Sequence, residues 1–208
     1  MIDRLLTQIS HMPAIWNSLR WIAEGGYRSH HVAIHDALAP GRADGRRFLD
    51  FGCGTGQFAA DFPADRYVGF DLTRPYIAFA AEHRPGQFMV SDGGALGLAA
   101  NCFDGALVLG VFHHLPDVVV RSSMTELHRV LKPDAMLLVI EDVPPPSVWN
   151  VPGHIMHWLD RGDFIRSDQD YRDLFAPHFL VHSSYGMRSG ICDYGVYALT
   201  HQAQPVSQ

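Results

Sequence analysis

The sequence predicts an α/β fold built on a mostly parallel sheet, and three observations carry that prediction. From Arg47 onward, short apolar runs ending in Gly or Asp alternate with helical stretches, the rhythm of βαβ units. A glycine-rich turn, Gly52-Cys53-Gly54-Thr55-Gly56, closes the first of these runs. Acids then recur at equal intervals: Asp71 lies 21 residues after Asp50, and Asp92 a further 21 on.

Taken in order, the first forty residues read as helix. Leu5, Leu6, Ile9 and Met12 recur at helical spacing, followed by Trp16, Leu19, Trp21 and Ile22 and then Val32, Ile34 and Leu38, with Pro13 and Gly25-Gly26 as punctuation. Strands are predicted at 47–51, 67–70, 87–90, 103–109 and 136–140. The glycine turn should open a helix, and a helix over about 118–130 carries Val118, Met124, Leu127 and Val130 before Lys132-Pro133-Asp134 turns into the next strand. Two more strands, 179–184 and 194–200, are joined by the stretch Gly186 to Gly190. With no room for a crossover helix they should form an antiparallel hairpin.

Between them, 144–167 breaks the rhythm. It opens on Pro144-Pro145-Pro146 and reads as an inserted substrate-side loop or short helix. The expected organisation is one domain over 1–208: N-terminal helices (1–40), a cofactor-binding core (47–141), the insertion (144–167) and the C-terminal hairpin (179–200).

Composition narrows the classes of partner. The 208 residues are 47% hydrophobic and 18% charged, suited to a folded core. A net charge of -6 without a Lys/Arg run argues against a nucleic-acid partner. Cys53, Cys102 and Cys192 are odd in number and far apart, as expected in a reducing compartment. Asp3 and Arg4 interrupt any signal-peptide pattern, and no apolar run is long enough for a membrane span, so the expected location is the cytoplasm.

The glycine turn lets a backbone bend tightly and a ligand approach closely, although such glycines also serve purely structural turns. An acid at the end of the second strand, Asp71, suits ribose hydroxyls at the spacing expected of nucleotide-binding α/β sheets. Asp92 has an alternative reading as a helix cap. A dinucleotide fingerprint wants a small residue where Gln57 stands, and Asp50 would repel a pyrophosphate while favouring an ammonium or sulfonium.

The run Leu49-Asp50-Phe51-Gly52-Cys53-Gly54-Thr55-Gly56 is followed by Val68-Gly69-Phe70-Asp71, Ser91-Asp92-Gly93 and Phe103-Asp104. His113-His114-Leu115-Pro116-Asp117 and Glu126-Leu127-His128-Arg129-Val130-Leu131-Lys132-Pro133 complete the series. Together they resemble the class I S-adenosylmethionine-dependent methyltransferases, in particular the type 11 subgroup, over about 47–141. The resemblance implies a Rossmann-like three-layer sandwich, a seven-stranded sheet with an antiparallel last strand, and an N-terminal helical lid. It implies S-adenosyl-L-methionine as cofactor. Gly52, Gly54 and Gly56 would line its methionine and ribose side, Asp71 would hold the ribose, Asp92 and Gly93 would meet the adenine, and Gly110 would pass beside the methionine. Asp50 would act through the loop or the amino group, with Leu72 and Ala95 as apolar adenine neighbours.

Methyl transfer from a sulfonium is an in-line displacement, which needs a base only if the acceptor must lose a proton. Candidate bases at strand ends are His113, His114, Glu141 and Asp142. The two histidines have an alternative role in shaping the cofactor site, and Glu141 one as a strand-end anchor. His154, His157 and Asp160 share a spacing of three but lack a fourth ligand, so no metal is expected. Trp149, Trp158, Phe164, Tyr171 and Tyr185 could wall an acceptor pocket or sit in the core. Arg161, Arg166 and Arg188 could grip an anionic acceptor or face solvent. A small-molecule acceptor and a monomer or homodimer are expected. Two other readings stand beside this one: a nicotinamide-dependent oxidoreductase and a non-catalytic cofactor-binding subunit.

Overall fold

A computed structural model describes residues 20–40, 45–144, 149–150 and 164–202. Its centre is a seven-stranded sheet in the order β3-β2-β1-β4-β5-β7-β6. The strands are β1 (Phe48–Phe51), β2 (Tyr67–Asp71), β3 (Gln87–Val90), β4 (Phe103–Leu109), β5 (Leu131–Asp142), β6 (Phe179–Ser189) and β7 (Cys192–His201). Pairings from β3 through β5 are parallel, and β7 runs antiparallel to both β5 and β6. Chain order reverses between β1 and β4. In sheets of this kind ligands bind beyond the C-terminal ends of the strands at such a reversal.

Because both sheet faces are covered, the central strands are mostly apolar and buried rather than alternating with polar residues. Side chains still alternate between two cores. Phe48, Leu107, Leu138 and Ile140 pack with Ala33, Ile34 and Leu38 of helix α1 (Arg28–Leu38). Leu49, Ala106, Val108, Leu137 and Val139 face the opposite layer. That layer is formed by α3 (Asp117–Val130), which buries Val120, Met124, Leu127 and Val130 at helical spacing, and α4 (Asp168–Phe175). Helix α4 starts at a capping box in which Ser167 and Asp170 satisfy each other's backbone amides. Helix α2 (Arg74–His83) leads from β2 to β3.

Four expectations need correction. No α-helix follows the glycine turn: i to i+3 bonds (Gly56 N to Cys53 O, Ala59 N to Gly56 O, Phe62 N to Ala59 O) make turns and one 3₁₀ segment, Ala59–Asp61, before Pro63. Lys132-Pro133-Asp134 is not a turn, since α3 passes directly into β5, which absorbs the irregularity as a register shift opposite Phe103 and Gly105. The C-terminal strands are longer than predicted, and the chain reverses at Gly190-Ile191 rather than over Gly186 to Gly190. Val118 is 74% exposed, so the buried stripe of α3 begins at Val120.

Of the helices before α1, the described residues hold the end of one, from Arg20; Trp16 lies outside them. That end is fastened to the β6–β7 turn. Ile191 N donates to Ala23 O (3.0 Å), Ser189 Oγ to Glu24 O (2.7 Å) and Tyr194 Oη to Glu24 Oε2 (2.6 Å). Gly190, at φ +58°, lies so close that a Cβ there would sit 2.0 Å from Ala23 O. Trp21 and Ile22 face outward, at 56% and 70% exposure.

Candidate functional site

The crevice between β1 and β4 is lined by backbone that only glycine permits. Gly52 (φ +73°) faces the β4 side, where a Cβ would lie 2.6 Å from Val111 Cγ2, so the two loops touch across the switch point. Gly54 (φ +53°) differs, because a Cβ there would meet nothing within 4 Å, which leaves its surface open to a ligand. Gly56 (φ +68°) is buried against Phe88 and Arg84; its small size serves packing onto β3. Gly110 (φ +65°) ends β4 and donates from N to Ile140 O (2.9 Å).

The acids stand at successive strand ends as expected. Asp71 ties the glycine turn to β2: Oδ2 accepts from Gly54 N (3.0 Å) and Oδ1 from Thr73 N (2.7 Å). Leu72, next to it, is 72% exposed. Asp92, also exposed, accepts from Gly94 N at Oδ1 (2.9 Å), and a Cβ on Gly93 would lie 2.4 Å from Phe51 Cζ. The stretch after them is held by α3, with Leu96 N donating to Glu126 Oε2 (3.0 Å) and Arg129 Nη1 to Leu98 O (2.8 Å).

Asp50 lies behind the glycine turn at 3% exposure and accepts from Tyr67 Oη (2.6 Å). Burial pushes its carboxyl up to about 7, against the Tyr67 hydrogen bond, and the negative Asp71 and Asp61 push the same way. A carboxylate so placed suits a cationic ligand. Nothing in the residue pattern singled out Tyr67, whose phenol is the partner that Asp50 has in place of water.

The loop after β4 carries His113 and His114 in one 3₁₀ turn, Phe112–His114. Glu141, fully buried at the end of β5, accepts from Val111 N (2.9 Å), Phe112 N (2.7 Å), His113 N (3.2 Å) and His113 Nδ1 (2.8 Å). Four contacts on one carboxyl make Glu141 the anchor of this loop, and as their acceptor it takes the hydrogen of His113 Nδ1. Asp142 Oδ2 lies 3.5 Å from the same nitrogen. His113 is buried, while His114 is exposed with its ring 3.9 Å from that of His113.

Among the described residues the aromatics considered for an acceptor pocket do not assemble: Phe164, 38% exposed, lies against the His113 turn. Tyr171 is core, Tyr185 is half exposed on the edge strand β6, and Trp149 is 88% exposed. Arg188 pairs loosely with Asp193 (3.8 Å). Trp158, Arg161, His154, His157 and Asp160 lie outside the described residues. Among the described residues no group of three or more His, Cys, Asp or Glu is arranged to hold a metal ion.

A family model described as a methyltransferase domain matches residues 49–139. The demethylmenaquinone methyltransferase of Thermus thermophilus is 34% identical over 111 residues, 49% of this chain and 50% of that protein, so the chain matches about half the length of this curated relative. Among solved structures, a TehB-like SAM-dependent methyltransferase from Corynebacterium glutamicum superposes with a TM-score of 0.67 at 16% identity, covering 92% of this chain and 98% of the other. Geranyl diphosphate C-methyltransferase from Streptomyces coelicolor, solved with S-adenosyl-L-homocysteine, gives 0.64 at 14% identity over 83% and 80%. Residues 49–139 of this chain thus match the methyltransferase-domain model, and the sheet that carries them has the fold of these solved structures.

Proposed function

We propose that this chain is an S-adenosylmethionine-dependent methyltransferase acting on a small-molecule acceptor. The observation that carries the reading is the crevice itself: the open Gly54 surface, the buried Asp50 carboxyl and the strand-end acids Asp71 and Asp92. S-adenosylmethionine, when bound, supplies a methyl group on a positively charged sulfur. In this reading Gly52, Gly54 and Gly110 border its methionine part, Gly56 supports the turn from behind, and Asp71 offers its remaining lone pairs to the ribose. Asp92 and Gly93, with the exposed Leu72, border the adenine.

His113 is the base for an acceptor that must lose a proton, at Nε2, since Glu141 fixes the proton of the imidazole on Nδ1. Glu141 orients that ring and touches no acceptor; His114 lies on the exposed side of the same turn. The negative net charge favours a small acceptor over nucleic acid, and three unpaired cysteines suit a reducing, cytoplasmic setting. Among the described residues no helix is long and apolar enough to cross a membrane.

Incubating the protein with methyl-labelled S-adenosylmethionine and fractionated small-molecule extracts tests the proposal. Label should pass into a small-molecule fraction, and His113→Gln should slow transfer while still binding S-adenosylhomocysteine. Tight cofactor binding with no label transferred to any fraction would favour a non-catalytic binding subunit instead.

A further inference from the structure

A single 3₁₀ turn does not hold its own shape. Phe112–His114 has only the internal bonds His114 N to Val111 O and Leu115 N to Phe112 O, both 3.1 Å, yet it carries the two histidines of the site. Glu141 fixes the amide side of this turn. The carbonyl side is fixed by residues that follow the 144–163 stretch. Phe164 N donates to His113 O (3.0 Å). Arg166, 6% exposed, donates from Nη1 to Phe112 O (2.6 Å) and Phe164 O (3.0 Å). Its Nη2 donates to Leu115 O (2.6 Å) and Asp117 Oδ1 (2.7 Å), and its Nε to the same oxygen of Asp117 (3.0 Å).

These bonds use all five N–H donors of the guanidinium, so none is left over for an anionic acceptor, the role considered for Arg166 from sequence. We infer that Arg166 is a positioning residue: with Glu141 opposite, it sets where the His113 imidazole stands, and it acts through the Phe112 and Leu115 carbonyls rather than on any ligand. Lysine cannot replace it, because three donors on one point cannot span three carbonyls and a carboxylate in a plane. The inference rests on reading this turn as part of the acceptor site, but its structural content is independent of the acceptor.

The test uses the full chain with ¹⁵N-labelled histidine, the His113 ring assigned through His113→Gln, and S-adenosylhomocysteine titrated in parallel. The wild-type protein should show one His113 tautomer, protonated on Nδ1. Arg166→Ala should give a mixture of tautomers, and added guanidinium at millimolar concentration should restore the single form. If Arg166→Ala fails to fold, Arg166→Lys and Asp117→Asn take its place and should also give mixtures. A single Nδ1–H tautomer in whichever variants fold would overturn the proposal. Failure of the wild type to bind S-adenosylhomocysteine would instead count against the functional reading, and leave the tautomer result to decide the role of Arg166.

Discussion

Removing the charge from Asp50 should stabilise the cofactor-free protein, and more so as the pH rises. The carboxyl has an ordinary value of 3.8 and is pushed up to about 7 in the folded chain, chiefly by burial. The folded state therefore holds the proton more tightly than the unfolded one. The associated stability is fully present below about pH 4 and is lost as pH rises through about 7. At about 1.4 kcal/mol per pH unit, the gap between the two values is worth about 4 kcal/mol, of which about 2.5 kcal/mol falls between pH 5 and pH 8. Asp50→Asn keeps an acceptor for Tyr67 Oη and cannot ionise. Urea unfolding of both proteins without cofactor should show the variant gaining about 2–3 kcal/mol over wild type from pH 5 to pH 8. A difference that stays constant within about 0.5 kcal/mol over that range would refute the reasoning.

Three further outcomes follow. S-adenosylmethionine should bind wild type more tightly at pH 8 than at pH 6, because Asp50 is then charged without help from the ligand, and this trend should vanish in Asp50→Asn; calorimetry at the two pH values decides it. Glu141→Gln leaves two of the four donors at that site facing an amide rather than a carboxylate. At about 1–3 kcal/mol per unmet buried donor the loss should be about 4 kcal/mol, read from urea midpoints, and a loss below about 1 kcal/mol would show that the anchor is dispensable. Gly190→Ala places a methyl against Ala23 O at a left-handed backbone position, which by itself costs about 1–2 kcal/mol. It should loosen the end of the N-terminal helix and speed tryptic cleavage at Arg20 and Arg28, and an unchanged cleavage pattern would contradict the fastening described above.

The sheet was legible in the sequence because each parallel strand is a short apolar run ended by a residue with a backbone or polar duty: Phe51 before Gly52, Phe70 before Asp71, Leu109 before Gly110. What failed was local. The helix expected after the glycine turn gave way to a 3₁₀ segment because Ala59–Asp61 runs into Pro63 within one turn. The loop at 132–134 vanished because β5 pairs with β4 on both sides of the proline, Leu131 with Phe103 and Met136 with Gly105, with a register shift as compensation. For the candidate site, the placement of the glycines and strand-end acids was legible, because it follows the backbone pattern. It was not legible where distant residues meet. Tyr67 beside Asp50 looks like any strand aromatic, and Arg166 looks like any loop arginine until four of its five donors are seen to reach Phe112, Leu115 and Asp117, some fifty residues earlier.

The central claim is that the crevice between β1 and β4 takes S-adenosylmethionine. Its most direct test is a calorimetric titration of the purified chain with S-adenosylmethionine, S-adenosylhomocysteine and NAD(H), with Asp71→Ala as control for the strand-end acid. The account predicts that both sulfur compounds bind and that Asp71→Ala, folded by circular dichroism, binds them more weakly. Binding of NAD(H) alone would contradict it and make a nicotinamide enzyme the reading to pursue.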